Sequence, residues 1–324
     1  MAFDNNHIGF IGLGLMGVPM LRNLIQKTDD HCQFYLYDVA SEPVEKLCAE
    51  LPARTHQCQN PRDVAEKSDI IFTMVPEGAH VRAVYLTPET GILAARPGAA
   101  LLCDCSTIDT ATSLAVREAV IQQSPSTRFF DTPVSGGVLG AERATLTFMM
   151  GCAEDDPSLP LLKDLLGKMG RHLIACGGPS LGLTAKLCNN YCSGLIAIAV
   201  SEAMNIGMKS GMDPHVLASV FHSSTAQSAI CDDWCPVPGL CPEAPASKGY
   251  KGGFKVQLMR KDFALAVDTA NRVGAELALG EKGLEVYTET MNDPRCKDLD
   301  SRVVFRYLGG DEDWEKKDRS APRQ

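Results

Sequence analysis

Three segments hold residue types that could do chemistry at a spacing that allows it. Gly12-Leu13-Gly14-Leu15-Met16-Gly17 ends the apolar run Ile8–Leu13 and leads into a helical pattern. Gly12 permits a tight turn, Gly14 lets a backbone approach a diphosphate, and Gly17 lets helix and strand pack closely. The free N–H groups around Leu15, Met16 and Gly17 then form the positive end of a helix, which suits a pyrophosphate. A lone motif of this kind is weak, because a glycine-rich turn can be purely structural. This one is answered by Asp38, at the end of the next apolar run and 21 residues past Gly17. A carboxylate there can accept hydrogen bonds from ribose hydroxyls and would repel a 2′-phosphate. Val39, Ala40 and Ser41 follow it, with no Arg or Lys among them, so the expected cofactor is NAD rather than NADP. Asp38 could instead cap the next helix, although Ser41 is better placed for that.

The second segment is Asp131-Thr-Pro-Val-Ser-Gly-Gly137. The Ser135 hydroxyl and the N–H groups of Gly136 and Gly137 would make a small anion-binding concavity. A Pro/Gly turn is the simpler reading of the same residues. The third segment is Lys186-Leu-Cys-Asn-Asn190, in which Lys186 and Asn190 are four apart and share one helix face. A helical lysine is usually a solvated surface charge, but this stretch is otherwise dense in Leu, Ile, Ala and Val. A lysine kept on a mostly buried helix needs a reason.

The elements that must position these residues follow from periodicity. Ile8–Leu13, Gln33–Tyr37, Ile70–Val75, Ala99–Cys103 and Arg128–Phe130 read as strands. Val18–Gln26, Glu42–Glu50 and Thr112–Gln122 between them read as helices. Such alternation predicts a parallel sheet covered by helices. Thr145–Met150 and His172–Ala175, flanking the helix Ser158–Met169, are expected to extend that sheet. After Gly177-Gly178-Pro179 the pattern turns helical, with about seven turns from Thr184 to Lys209. Further helices are expected at Asp213–Phe221, Phe254–Val273, Glu281–Met291 and Asp298–Leu308. Cys235–Gly253 reads as an irregular loop. The fold class is therefore an α/β Rossmann-type doubly wound sheet followed by an all-α domain. The expected divisions are 1–178 for the dinucleotide and 179–310 for substrate and oligomerisation, with a disordered tail at 311–324.

Composition excludes several alternatives. The 324-residue chain, 45% hydrophobic and 22% charged, fits a soluble enzyme of two domains. A net charge of −9 argues against nucleic acid or anionic membranes as partners. The apolar run Leu195–Val200 is far too short to span a bilayer. Thirteen scattered cysteines, an odd number, suit free thiols in a reducing compartment. Cys231, Cys235 and Cys241 lack the pairing of a zinc site, so no metal is expected. No targeting segment is visible, which leaves mitochondrial matrix and cytoplasm both open.

From Ile8 to about Leu308 the chain resembles the β-hydroxyacid dehydrogenases, and their 3-hydroxyisobutyrate-oxidising branch most of all. The resemblance rests on Gly9–Gly17 with Pro19, Met20 and Asn23, on Met74-Val75-Pro76, on Asp104-Cys-Ser-Thr-Ile108, and on Asp131–Gly137 with Gly140-Ala141. Lys186–Asn190, Glu202-Ala203-Met204, Gly252-Gly253-Phe254 and Lys261-Asp262 complete it. The family implies that Lys186 is the catalytic acid/base, and that Ser135, Gly136 and Asn190 hold the substrate carboxylate and reactive oxygen. It places Val75, Pro76 and Thr107 along the dinucleotide, with Lys261 reaching it from the helical domain. It also implies a homodimer or homotetramer, and NAD-dependent conversion of 3-hydroxyisobutyrate to methylmalonate semialdehyde in valine degradation. A paralogue with another β-hydroxy acid or semialdehyde, or a non-catalytic NAD-binding protein, would share much of this pattern. Three departures stand out: His80 where many relatives have Asn, Ala144 where they often have Gly, and Ser180 with Gly182 in a turn that is usually glycine-paired.

Overall fold

The computed structural model describes residues 6–95 and 101–316. The chain divides into two compact units, Met1–Leu187 and Cys188–Gln324.

The first unit opens with β1 (His7–Ile11), α1 (Gly17–Lys27), β2 (Gln33–Tyr37), α2 (Ser41–Glu50), β3 (Thr55–Gln57) and α3 (Pro61–Lys67). It continues through β4 (Ile70–Thr73), α4 (Gly78–Leu86), β5 (Leu101–Asp104), α5 (Thr110–Gln123) and β6 (Arg128–Asp131). These six strands form one parallel sheet in the order β3-β2-β1-β4-β5-β6. Ile8 pairs with Phe34 on one side and Ile70 on the other. The order reverses between β1 and β4, and the crevice beyond the strand ends at that point is where such sheets take ligands. Both faces are apolar and covered. Ile8, Phe10, Phe34, Phe72 and Cys103 pack on one side, and Ile11, Ile71, Leu102 and Phe129 on the other. The expected strand Ala99–Cys103 falls partly on residues outside those described.

The pair expected to extend this sheet forms a second one instead. β7 (Val134–Ser135), β8 (Leu146–Met150) and β9 (Gly170–Ala175) make a three-stranded sheet, with α6 (Gly137–Glu142) and α7 (Leu159–Gly167) between them. The reason is Pro133, which has no N–H with which to continue a ladder. Met149 N–H donates to Pro133 O, and Gly151 N–H to Asp131 O, so β8 still runs beside the end of β6. The shorter elements β3, α3, α4 and α6 have no counterpart in the sequence reading.

The second unit is helical. α8 (Leu181–Lys209) runs through the boundary, followed by α9 (Pro214–Ser223), α10 (Ala229–Asp232), α11 (Val256–Val273), α12 (Gly280–Asn292) and α13 (Val304–Tyr307). The expected start at residue 179 and the observed division differ for a physical reason. The first turns of α8 belong to the first unit, where Leu183 packs with Ile108 and Val116. α8 is long and apolar enough to cross a membrane by length and composition alone, an 18-residue stretch of it reaching a mean hydropathy of 1.2. It nonetheless carries Lys186, Asn189, Asn190 and Glu202. The helix expected at 298–308 is shorter, a 3-10 turn at Ser301–Val303 followed by α13. Within the segment expected to be a disordered tail, Trp314 is buried and its indole N–H donates to Pro238 O at 2.9 Å. Residues 317–324 lie outside those described. None of the 13 cysteines forms a disulfide, and eight of them are buried.

Candidate active site

The glycine turn is built as its sequence requires. Gly12 has φ +96, and a Cβ there would lie 2.2 Å from Met74 O. A Cβ on Gly17 would lie 1.9 Å from Gly12 O. At Gly14 nothing stands within 4 Å, so its open face is available to a ligand. Helix α1 begins with Met16 at its N-cap and no side-chain cap. Its first N–H groups therefore keep their donor capacity toward an anion. Leu15 is 74% exposed, as a residue flanking an open cradle should be.

Asp38 ends β2 and does two things at once. Its Oδ2 accepts Leu13 N–H at 2.5 Å, and its Oδ1 accepts Ala40 N–H at 2.8 Å. Neither Asp38 nor Ser41 caps α2, whose N-cap is Ala40. Each oxygen of the carboxylate retains acceptor capacity for a hydroxyl. Val39 beside it is 92% exposed. These features fit the adenosine half of a dinucleotide.

Across the switch point, Val75 follows β4. A Cβ on Gly12 would lie 3.1 Å from Val75 Cγ1, which places Val75 beside the turn. Val75 N–H donates to Ser106 Oγ at 2.9 Å, and Ser106 N–H donates to Asp104 Oδ1 at 3.2 Å. Thr73 Oγ1 donates to the same oxygen at 2.8 Å. Asp104 is fully buried, and burial pushes its carboxyl up to about 6. This network sets the backbone that precedes Pro76 and Thr107. Pro76 and His80 are both exposed on this side of the sheet's loops.

Ser135 lies on β7, opposite Thr147 of β8. Gly136 has φ +131 and Gly137 φ +62, conformations that side-chain-bearing residues rarely adopt. Both are exposed at the start of α6, and a Cβ on Gly137 would meet nothing. The loop is tied to the glycine turn's helix by Asn23, whose Nδ2 donates to Ala141 O at 2.8 Å. At the head of the same segment stands Asp131, 2% exposed. Its Oδ1 accepts Ser180 N–H at 2.7 Å and its Oδ2 accepts Leu183 N–H at 2.9 Å. Burial raises its carboxyl and these N–H donors oppose the rise.

Lys186 is 7% exposed, one turn beyond those N–H groups on α8. In the second unit, Asn190 is 6% exposed and its Nδ2 donates to Asp262 Oδ2 at 2.6 Å. Asp262 Oδ1 lies 3.2 Å from Lys261 Nζ. One buried acid thus holds both residues expected to serve the site from the helical unit. Sequence reasoning missed the parts played by Asn23, Asp104, Ser106, Asp131 and Asp262. Each lies inside a motif segment, yet its partner is a distant backbone or side-chain atom.

Residues 7–178 match the NAD binding domain of 6-phosphogluconate dehydrogenase. Residues 181–308 match the NAD-binding region of NADP-dependent 3-hydroxyisobutyrate dehydrogenase. The chain is 38% identical over 306 residues to the mitochondrial 3-hydroxyisobutyrate dehydrogenase of Rattus norvegicus, covering 94% of this chain and 88% of that enzyme. It is 37% identical to the 3-hydroxyisobutyrate dehydrogenase of Pseudomonas aeruginosa, covering 94% and 99%. The structure of Mycobacterium tuberculosis 3-hydroxyisobutyrate dehydrogenase with L-serine superimposes with a TM-score of 0.84 at 33% identity, covering 93% and 98%. With an NAD-binding Rossmann-type sheet, an all-helical second half and these relatives, the chain belongs to the 3-hydroxyisobutyrate dehydrogenase family and is a β-hydroxyacid dehydrogenase.

Proposed function

We propose that this enzyme oxidises 3-hydroxyisobutyrate to methylmalonate semialdehyde with NAD, a step of valine breakdown, using Lys186 as general acid/base. The observation that carries the reading is the burial of Lys186, 7% exposed and one helical turn before the equally buried Asn190. Lysine is rarely so buried unless it is paired, and an amine held at this depth on the same helix face as Asn190 is placed to meet a bound substrate. The substrate carboxylate docks on the Ser135 hydroxyl and the N–H groups of Gly136 and Gly137. Asn190, oriented by Asp262, holds the reactive oxygen, while Lys261, Val75, Pro76 and Thr107 line the dinucleotide.

Bound NAD supplies the acceptor for the hydride that leaves the hydroxyl-bearing carbon. Neutral Lys186 takes the hydroxyl proton as the C=O bond forms, and in reduction the protonated amine returns it. Only the neutral amine can accept that proton, so oxidation should run faster as pH rises. Asp38 supports NAD over NADP, since a 2′-phosphate would meet its carboxylate with no Arg or Lys at positions 39–41.

We also infer a homodimer or homotetramer, which would cover the exposed Ile206, Val216 and Val220. The matrix and the bacterial cytoplasm, the compartments its relatives point to, both keep thiols reduced. The test follows NADH absorbance with NAD and NADP against 3-hydroxyisobutyrate, 3-hydroxypropionate, serine, glycerate and 4-hydroxybutyrate. Highest kcat/KM for 3-hydroxyisobutyrate with NAD is expected. Preference for another acid would reassign the substrate, and NAD binding without any turnover would sink the catalytic reading.

A further inference from the structure

We propose that Asp131 is a positioning residue that locks the start of the Lys186 helix to the head of the Ser135 loop. The inference rests on the reading of Lys186 as acid/base and of the Ser135 loop as carboxylate anchor.

The first N–H groups of a helix have no partner within it, and a neighbouring residue usually supplies one. At α8 Ser180, in the N-cap place, directs its hydroxyl elsewhere. Its φ is +65, and its Oγ donates to Thr110 O at 3.3 Å. Asp131, 49 residues earlier in the chain, takes over with one oxygen on Ser180 N–H and the other on Leu183 N–H. Anionic oxygens at this end also suit the helix dipole.

Two glycines make room for the carboxylate. A Cβ on Gly151 would lie 1.9 Å from Asp131 Oδ1. One on Gly182 would lie 2.8 Å from Oδ2 and 2.2 Å from Met149 O. The niche is therefore shaped around this one side chain. Both oxygens face main-chain donors and the residue is 2% exposed, so it positions other groups and does not itself meet substrate.

From Asp131 the chain runs through Pro133, with its fixed φ, to Ser135 four residues on. Ser135 is in turn held by pairing with Thr147. From Leu183 the helix runs three residues to Lys186, on nearly the same face. The carboxylate thus joins anchor and proton acceptor through short rigid paths. Misplacement of reacting groups by about 1 Å can cost on the order of 100-fold in rate.

The test compares Asp131→Asn in the full chain with Leu47→Ala, a cavity variant on α2, which packs beside β2 and β3 at the opposite edge of the sheet from β6. Asparagine keeps the volume but offers one acceptor oxygen, leaving one buried N–H facing an amide NH2. Expected for Asp131→Asn is a kcat on 3-hydroxyisobutyrate lower by roughly 30-fold or more, with the NAD dissociation constant within about twofold. Leu47→Ala should lose melting temperature without that loss of kcat. Hydrogen exchange supplies a readout that does not depend on turnover. Peptides covering 131–137 and 180–187 should both exchange faster in Asp131→Asn, and only those two. In the unsubstituted protein, Leu183 N–H should be protected although it lies in a first helical turn. An unprotected Leu183 N–H, an unchanged exchange pattern, or a kcat within about threefold of the parent enzyme overturns the proposal. Full activity in Lys186→Ala would instead remove the reading beneath it while leaving the exchange result standing.

Discussion

Asp38 Oδ2 accepts the N–H of Leu13 at 2.5 Å, so the carboxylate at the end of β2 also closes the glycine turn after β1. Its two tasks can be separated. Asp38→Asn keeps an oxygen for Leu13 but removes the charge that repels a 2′-phosphate. The ratio of kcat/KM for NAD to that for NADP should then fall by roughly tenfold, about 1.4 kcal/mol of discrimination. Asp38→Ala removes both tasks, so KM for NAD should rise further and the melting temperature should drop as well. An unchanged NAD/NADP ratio in Asp38→Asn would assign Asp38 to turn closure alone.

Lys186→Ala should lower kcat by roughly 10²–10⁴-fold, the usual scale for one acid/base group. NAD binding, followed by fluorescence titration, should stay within about twofold. In the unsubstituted enzyme the oxidation rate should rise with pH, because only the neutral amine can accept the hydroxyl proton. Small primary amines added to Lys186→Ala should restore part of the rate. Retention of substantial activity in this variant would rule out the assigned role.

Asp104 predicts a pH dependence of stability. It is fully buried, Oδ1 takes both donors, and Oδ2 has no hydrogen-bond partner. Burial raises its folded-state pKa from 3.8 to about 6. The folded state therefore holds this proton more tightly than the unfolded chain does. The sign follows: this group's cost is absent below about pH 4, grows as pH rises to about 6, and is complete above that. Asp104→Asn keeps an acceptor for Thr73 and Ser106 N–H while removing the charge. It should be more stable than the parent at pH 8, by up to about 3 kcal/mol, with the difference shrinking toward pH 4. Denaturant unfolding at the two pH values measures this. A difference independent of pH would mean that the carboxyl does not titrate in this range.

What the sequence disclosed, and what it hid, divides by the range of the interactions. Gly12, Gly14, Gly17 and Asp38 were legible because a strand, a turn and a helix start impose local conformational demands. α8 was legible because its apolar pattern runs for many turns. Asp131 reads as the first residue of a Pro/Gly turn, and nothing near it shows that its partners are Ser180 and Leu183. Asn23 looks like one more helical position, yet it binds Ala141 O more than a hundred residues away. The separate sheet of β7, β8 and β9 depends on one missing N–H, that of Pro133, which periodicity does not weigh. Trp314 sits in a charged tail and is buried because Pro238 lies within reach of its indole.

Two departures from the family pattern land on strained backbone, and they offer a stability test. Ala144 has φ +51 and Ser180 has φ +65, where a Cβ is disfavoured by roughly 1–2 kcal/mol. Ala144 closes the turn from α6 to β8, with Thr145 N–H donating to Gly140 O at 2.8 Å. Glycine there removes the strain but adds freedom to the unfolded chain, which returns about 0.4–1 kcal/mol. Ala144→Gly should therefore gain about 0.5–1 kcal/mol in denaturant unfolding and leave kcat unchanged. Ser180→Gly gains the same relief but loses the 3.3 Å bond from Ser180 Oγ to Thr110 O, so its net effect should lie near zero. Both variants keep every main-chain donor that Asp131 uses. A loss of stability in Ala144→Gly would show that the residue's methyl group contributes packing that outweighs the strain.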